Sequence, residues 1–280
     1  RLLETYRAAG LGGVEITSIY GVKGCEAQQA AYLSEAWVAK IRHAIAEAHR
    51  LGMQVDLPPG SGWRIGGPFI TPETGAARLQ IQQEPRGKGY QANVVPSGER
   101  VKRPGPGGSG LAFNPFSRHS LQKVMDHFTP VFGSLDLRAQ FHDSWEYGSD
   151  GCPDFLDAFR ALRGYDLQEH LAVLAGEGPT DAVARVRYDV RATFADLALE
   201  AFIRPWTEWC HRLGHLSRNQ AHGSPGNLLD LYAAADIPET EVFREVDADT
   251  PLLSKFASSA AHVTGKQRVS SETGTWIDEH

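Results

Sequence analysis

With 280 residues, 41% of them hydrophobic, the chain can bury one large core or two modest ones. A net charge of −6, from 34 acidic against 28 basic residues, argues against a nucleic-acid partner. The sequence has no run of about 18 apolar residues to span a membrane, and Cys25, Cys152 and Cys210 form neither a disulfide framework nor a zinc pattern.

The chain begins at Arg1 in what reads as mid-helix and ends at His280 without a terminating element. It is read as an internal stretch of a longer protein. No targeting segment lies within it, so the compartment stays open, a periplasmic or secreted location being suspected.

In chain order, a helix closing at Gly10 leads into a short strand, Gly12-Gly-Val-Glu-Ile16, followed by Tyr20-Gly21. Ser34 caps a helix over 34–51, with Trp37, Ile41, Ile45, Ala48 and Leu51 at helical spacing, and Gly52 ends it. The strand 53–57 opens at Asp56 into Pro58-Pro-Gly-Ser-Gly-Trp63. Residues 70–112 break the alternation, being rich in Gly and Pro with two weak strand candidates. This span is read as a surface insertion, at most a small hairpin, with no chemistry of its own.

A helix over 117–132 returns the chain to a strand, Leu137 to Glu146, that ends in Asp143-Ser-Trp-Glu146. Pro153 starts a further helix, ended by Gly164. A long helical stretch over 181–213 is expected to kink or split at Pro205. His215 to Ala221 is a strand that delivers Asn219 and Gln220, and His222-Gly-Ser-Pro-Gly226 is a tight loop. Another strand carries Asp236-Ile-Pro-Glu239-Thr-Glu241. A helix over 251–264 precedes the last strand, Arg268-Val-Ser-Ser-Glu272.

Strands alternating with helices demand parallel strands with crossover helices. Polar residues recur at the strand ends: Asp56, Glu146, Asn219, Glu239 and Glu272. Such ends converge on one mouth in a (β/α)8 TIM-type barrel. The chain supplies about six of the eight strands, so the expectation is one incomplete barrel over 1–280 with an irregular insertion at about 70–112.

Glu146 and Glu272 form the first candidate pair, because glycoside hydrolysis needs one carboxylic acid and one carboxylate flanking the scissile bond. Either glutamate could instead be a surface or salt-bridged group. Ser270, Ser271 and Trp276 around Glu272 favour the functional reading. Glu239 or Glu241 could be a second base, a metal ligand or an orienter, and a solvated acidic loop is the alternative. Asn219, Gln220 and His222 suit hydroxyl recognition, since each can donate and accept; a capped turn is the plainer reading of His222. Trp63, Trp145 and Trp276 follow strands and could stack on sugar faces, whereas Trp37, Trp206 and Trp209 sit on helices as core. No phosphate-cradling motif and no serine nucleophile elbow is present.

These stretches together resemble the family 106 glycoside hydrolases, the α-L-rhamnosidases. The likeness is carried by Gly12-Gly-Val-Glu-Ile16, Arg50 to Leu57, Gly62-Trp-Arg-Ile-Gly-Gly-Pro68, Phe113-Asn-Pro-Phe-Ser117, Asp143-Ser-Trp-Glu146, Arg218 to Gly226, Ala235 to Glu241 and Ser270-Ser-Glu-Thr273. It implies a (β/α)8 catalytic domain that removes terminal α-L-rhamnose from a glycan or glycoside with inversion. It implies Glu146 as general acid and Glu272 as base, with Glu239 or Glu241 as a further active-site acid. Asp143, Trp145, Asn219, Gln220, His222, Trp63, Asp56 and Trp276 would bind the sugar. A calcium ion is implied too, with Asp143, Glu239 and Asn219 put forward as its oxygen ligands. A sugar-binding barrel without turnover, and a barrel glycosidase for another sugar, are the alternatives.

Overall fold

A four- or five-residue apolar strand can bury both faces only when other layers cover it, and here a parallel sheet and its crossover helices do so. The computed structural model describes residues 1–85, 87, 89–243 and 250–275. In chain order the elements are α1 (Leu2–Ala8), β1 (Gly13–Glu15), α2 (Glu35–Arg50), β2 (Gln54–Leu57), β3 (Gly66–Gly67), β4 (Ala77–Gln83), β5 (Tyr90–Pro96), β6 (Leu111–Ala112), α3 (Arg118–Phe132) and β7 (Ala139–His142). Then follow α4 (Phe155–Arg163), α5 (Leu171–Ala175), α6 (Thr180–Leu197), α7 (Arg204–Arg212), β8 (Leu216–Gln220), α8 (Leu228–Ala234), β9 (Ile237–Phe243), α9 (Thr250–Val263) and β10 (Ser270–Thr275).

Six strands pair in the order β1-β2-β7-β8-β9-β10, every pair parallel. They are the six expected strands, in sequence order. The sheet curls into half of a barrel. A closed (β/α)8 barrel is not what the described residues form: β1 and β10 are its two edges.

The core fills the space between this sheet and the helices. Ser34 caps α2, its hydroxyl accepting from the Trp37 N–H at 3.2 Å, and Trp37, Ile41, Ile45 and Ala48 are buried as the spacing requires. Phe113, Phe128, Phe132, Phe155, Phe159, Phe202 and Trp206 are fully enclosed. Each such side chain contributes roughly 1.5–3 kcal/mol by leaving water.

The long helical stretch does not run through Pro205 as one α-helix but divides just ahead of it. A π-helical turn, Ala198–Ile203, joins α6 to α7, and Pro205 sits in the first turn of α7. The wider turn removes the need for the hydrogen bond that proline lacks an N–H to make. The insertion is partly ordered: β4 and β5 form a seven-residue antiparallel hairpin.

Candidate active site

Side chains alternate across a strand, so the register decides which polar residues meet. Paired residues across the parallel sheet include Glu15 with Asp56, Phe141 with Arg218, Gln220 with Glu239 and Glu241 with Glu272. These share the inner face. Gln140 and His142 on β7, and Ser217 and Asn219 on β8, point the other way, toward the helices.

Three expectations are corrected, the first of them by that division. Asn219 does not reach the mouth: its Oδ1 lies 2.8 Å from His142 Nδ1, and its amide faces the Leu231 carbonyl at 3.5 Å, under α8. Burial lowers His142 to about 4, so the imidazole is neutral and belongs to the core. Trp145 is buried among Phe116, His142, Tyr147 and Phe202 rather than presented as a platform. Asp56 is a buried ion-pair partner of Arg138 and Arg218, with its carboxylate fully engaged below the mouth.

The floor of the inner face is a charge network centred on Arg218. Its guanidinium binds Glu239 through Nε, Glu15 at 2.7 Å and Asp56 at 3.1 Å, and it lies 4.1 Å over the Phe141 ring. Burial opposes its charge, but these carboxylates outweigh burial and raise its pKa above the ordinary arginine value. Glu239 is completely buried, with Oε2 on Arg218 and Oε1 accepting from the Gln220 amide at 3.1 Å. The same amide nitrogen donates to Glu272 Oε2 at 2.7 Å. Glu239 therefore orients Gln220, and Gln220 holds Glu272.

Above the floor the carboxyls of Asp143, Glu146, Glu241 and Glu272 act on one another's charge. Asp143 and Glu146 follow β7, Glu241 lies on β9 and Glu272 on β10. Burial raises Asp143 to about 7; the Ser144 N–H opposes this, and Glu272, Glu15 and Glu146 add to it. Burial raises Glu241 to about 8, reinforced by Glu272, Asp143, Glu146 and Glu239. Glu241 Oε2 lies 3.4 Å from His222 Nε2, an ion-pair distance without hydrogen-bond alignment. Burial also lowers His222, against the pull of Glu146.

Glu146 is not on the strand. β7 stops at His142, and Glu146 stands four residues on, in a loop, where Lys102 Nζ binds its Oε2 and the Ser144 hydroxyl reaches Oε1 at 3.5 Å. Lys102 comes from the insertion, which the sequence reading left without chemistry. Trp63 is half-buried beside it: Trp63 N–H donates to the Lys102 carbonyl at 3.2 Å, and Lys102 N–H to the Trp63 carbonyl at 2.7 Å. Trp276 lies outside the described residues.

Glu15, Arg138, Arg218 and Lys102 were missed as site groups. A charged residue inside a short buried strand was the signal available for Glu15 and Arg218. Nothing in the sequence links Lys102 to Glu146.

Of the three donors put forward for calcium, Asn219 faces the helices, and both Glu239 oxygens are taken, one by a guanidinium; Asp143 accepts one hydrogen bond, from the Ser144 N–H, and keeps an oxygen of the kind a hard cation takes. Among the described residues, no three His, Cys, Asp or Glu side chains are gathered as a metal site.

The family model described as alpha-L-rhamnosidase, glycoside hydrolase family 106, matches residues 109–279. The chain belongs to this family. The match takes in Glu146, Glu239, Glu241 and Glu272, while Trp63 and Lys102 precede it. A search of solved structures finds a rhamnosidase from Novosphingobium sp. PP1Y at a TM-score of 0.77 and 14% identity, covering 98% of this chain and 50% of that one. A beta-galactosidase from the haloarchaeon Halorubrum lacusprofundi matches at a TM-score of 0.50 and 15% identity, covering 85% and 36%. At these identities the likeness is one of fold. A Formosa agariphila protein named "Putative beta-glucuronidase" is 28% identical over 202 residues, 66% of this chain and 17% of that protein. The chain thus spans half the length of the solved rhamnosidase and a smaller share of the other relatives.

Proposed function

We propose that this chain carries the catalytic groups of an inverting glycosidase that releases terminal α-L-rhamnose from oligosaccharides, polysaccharides or glycosides. The observation that carries the reading is the gathering of Glu146, from the loop after β7, and Glu272, on β10, around the same pair of raised carboxyls. In this reading the bound glycoside displaces Lys102 from Glu146, and with that ion pair broken the Glu146 carboxyl, having taken a proton from solvent, gives it to the glycosidic oxygen as the C–O bond breaks. Glu272, fixed by Gln220, takes a proton from the water that attacks the opposite face of the sugar. The bond to the leaving group is replaced by a bond to water oxygen, and the anomeric configuration inverts. The leaving oxygen takes the place that Lys102 Nζ occupies beside Glu146.

Asp143 and Glu241, held near neutrality, can donate hydrogen bonds to sugar hydroxyls, with His222 at their edge. No step here is routed through calcium; of the donors named for it, Asn219 and Glu239 are engaged elsewhere, and Asp143 is the one that could help hold such an ion.

A second reading is a barrel glycosidase for another sugar, favoured by the name of the 28%-identical relative. A binding module without turnover would have no use for several half-buried carboxyls that act on one another's charge. The test uses the full-length protein with aryl glycosides of several sugars, following the first-formed product by proton NMR. Release of β-rhamnose from an α-rhamnoside supports the proposal. First release of the α anomer would replace inversion by retention, and turnover confined to another sugar would favour the second reading.

A further inference from the structure

The chain that leaves Glu146 is stitched to the insertion and its flanks at every residue from Tyr147 to Gly151. The Tyr147 hydroxyl accepts from the Ile65 N–H at 3.1 Å. Gly148 N–H donates to Glu99 Oε1 at 2.8 Å and to Oε2 at 3.1 Å. The Ser149 hydroxyl accepts from the Ala77 N–H at 3.1 Å and donates to the Ala77 carbonyl at 2.9 Å. The Asp150 carbonyl accepts from the Leu79 N–H at 3.3 Å, and that of Gly151 from the Asn114 amide at 2.9 Å. At Gly151 the approach leaves no room for a side chain, since a Cβ would stand 2.4 Å from the Leu79 nitrogen.

One of these contacts is unlike the others. They join neutral groups, whereas the Gly148 N–H meets a carboxylate. That carboxylate is set in place from several sides. Arg64 Nη1 lies 2.5 Å from Glu99 Oε1, and the two side chains are only 15% and 10% exposed. The same Nη1 donates to the Arg100 carbonyl at 3.0 Å. The Glu99 N–H donates to the Ser97 hydroxyl at 3.2 Å, and its carbonyl accepts from the Ala112 N–H at 2.9 Å. A buried ion pair adds little net stability, because desolvating both charges takes back most of their attraction. What this pair does fix is the position of one anion, and the anion grips the backbone two residues beyond Glu146 by a charge-assisted hydrogen bond.

We propose that Glu99, seated by Arg64, is a positioning residue for the candidate acid: by holding the Gly148 N–H it sets where the Glu146 carboxyl meets the glycosidic oxygen. The role rests on the hydrolase reading above. Glu146 needs such a hold. β7 ends at His142, so no strand carries the acid. Its own side-chain contacts are loose, one to Lys102, itself 46% exposed, and one to the Ser144 hydroxyl at 3.5 Å. Proton donation requires hydrogen-bond reach to the leaving oxygen, and a misplacement of about 1 Å can cost on the order of a hundredfold. With the side chain weakly held, the backbone on either side must supply the precision. Upstream it is the Trp145 N–H, bound to the His222 carbonyl at 3.1 Å; downstream it is Gly148 on Glu99.

The test compares the full-length wild type with Glu99→Leu, Glu99→Asp and Glu99→Gln on a sugar-linked and a dinitrophenyl glycoside of the sugar that the wild type cleaves. Glu99→Leu should lower kcat on the sugar-linked substrate on the order of tenfold to a hundredfold, with KM changed less than about threefold. The dinitrophenyl substrate, whose leaving oxygen departs without a proton, should lose less than about threefold. The conservative variants separate reach from charge. Glu99→Asp keeps a charge for Arg64 but falls one methylene short of Gly148, and should lose as much as Glu99→Leu. Glu99→Gln keeps the length and an acceptor oxygen, and should restore most of the sugar-linked turnover while lowering the urea midpoint. An ion pair that serves stability alone gives the reverse order, with equal losses on the two substrates. That result, or full sugar-linked turnover by Glu99→Asp, overturns the positioning role and leaves the hydrolase reading intact. If Glu99→Leu does not fold, Glu99→Asp against Glu99→Gln decides. A wild type that cleaves no glycoside overturns the hydrolase reading, and the positioning role falls with it.

Discussion

At the scale of single residues, one guanidinium holds the floor together. Arg218 faces Glu15, Asp56 and Glu239, and Glu239 has no exposed surface. Removing one partner of a buried ion pair strands the others, at about 3–5 kcal/mol. Arg218→Met in the full-length protein should therefore lower this domain's unfolding free energy by that order, read as a lower urea midpoint. A midpoint unchanged from wild type would show that the network is not structural. The raised carboxyls have the opposite sign. Asp143 and Glu241 have folded pKa values above their unfolded values, so the folded state binds the extra protons. Their stabilising share is fully present below about pH 4 and is lost as pH rises through about 7 and 8. Asp143→Asn and Glu241→Gln should each gain at least ~1 kcal/mol over wild type at pH 9, and nothing at pH 4, in thermal scans across pH. A gain equal at both pH values would remove the titration as its cause. The sequence showed these acids but not their state, since burial and neighbouring charge belong to the folded chain.

At the scale of elements, the six parallel strands were legible because short strand-like runs alternate with helices, whose signals include a cap at Ser34 and stops at Gly52 and Gly164. Their faces were not. Asn219 and Gln220 looked alike as polar residues closing a strand, yet alternation sends Gln220 to Glu272 and Asn219 to the helices. Applying the period of two to β8, with Arg218 as reference, would have separated them. The insertion was the larger miss. Its compositional loop hides a specific contact, and Gly62 is one place where the approach leaves no room for a Cβ. Gly62→Ala should push the Lys102–Arg103 segment away from Trp63 and cost about 1–3 kcal/mol through the clash and the positive φ. The reading is a fall in both stability and turnover. Full turnover on a sugar-linked rhamnoside would show that the insertion does not position Glu146.

At the scale of the molecule, what matters is that parallel strands put all their C-terminal ends on one side. Segments more than a hundred residues apart, around Glu146 and Glu272, thereby act in one electrostatic space. This much of the site was legible from acids at strand ends. The path that fixes Glu272, from Arg218 through Glu239 and Gln220, was not, because it runs through neighbours set by sheet order. The most direct measurement is the dependence of activity on leaving-group quality in the full-length protein. A proton donor matters most when the leaving oxygen is a poor one, whereas the base acts on water in every case. Glu146→Gln should lose at least ~10³-fold on a sugar-linked rhamnoside but far less on a dinitrophenyl rhamnoside. Glu272→Gln should lose comparable amounts on both. Equal losses for Glu146→Gln on the two substrates, or sugar-linked turnover that survives either change, would contradict the assignment of these two glutamates as acid and base.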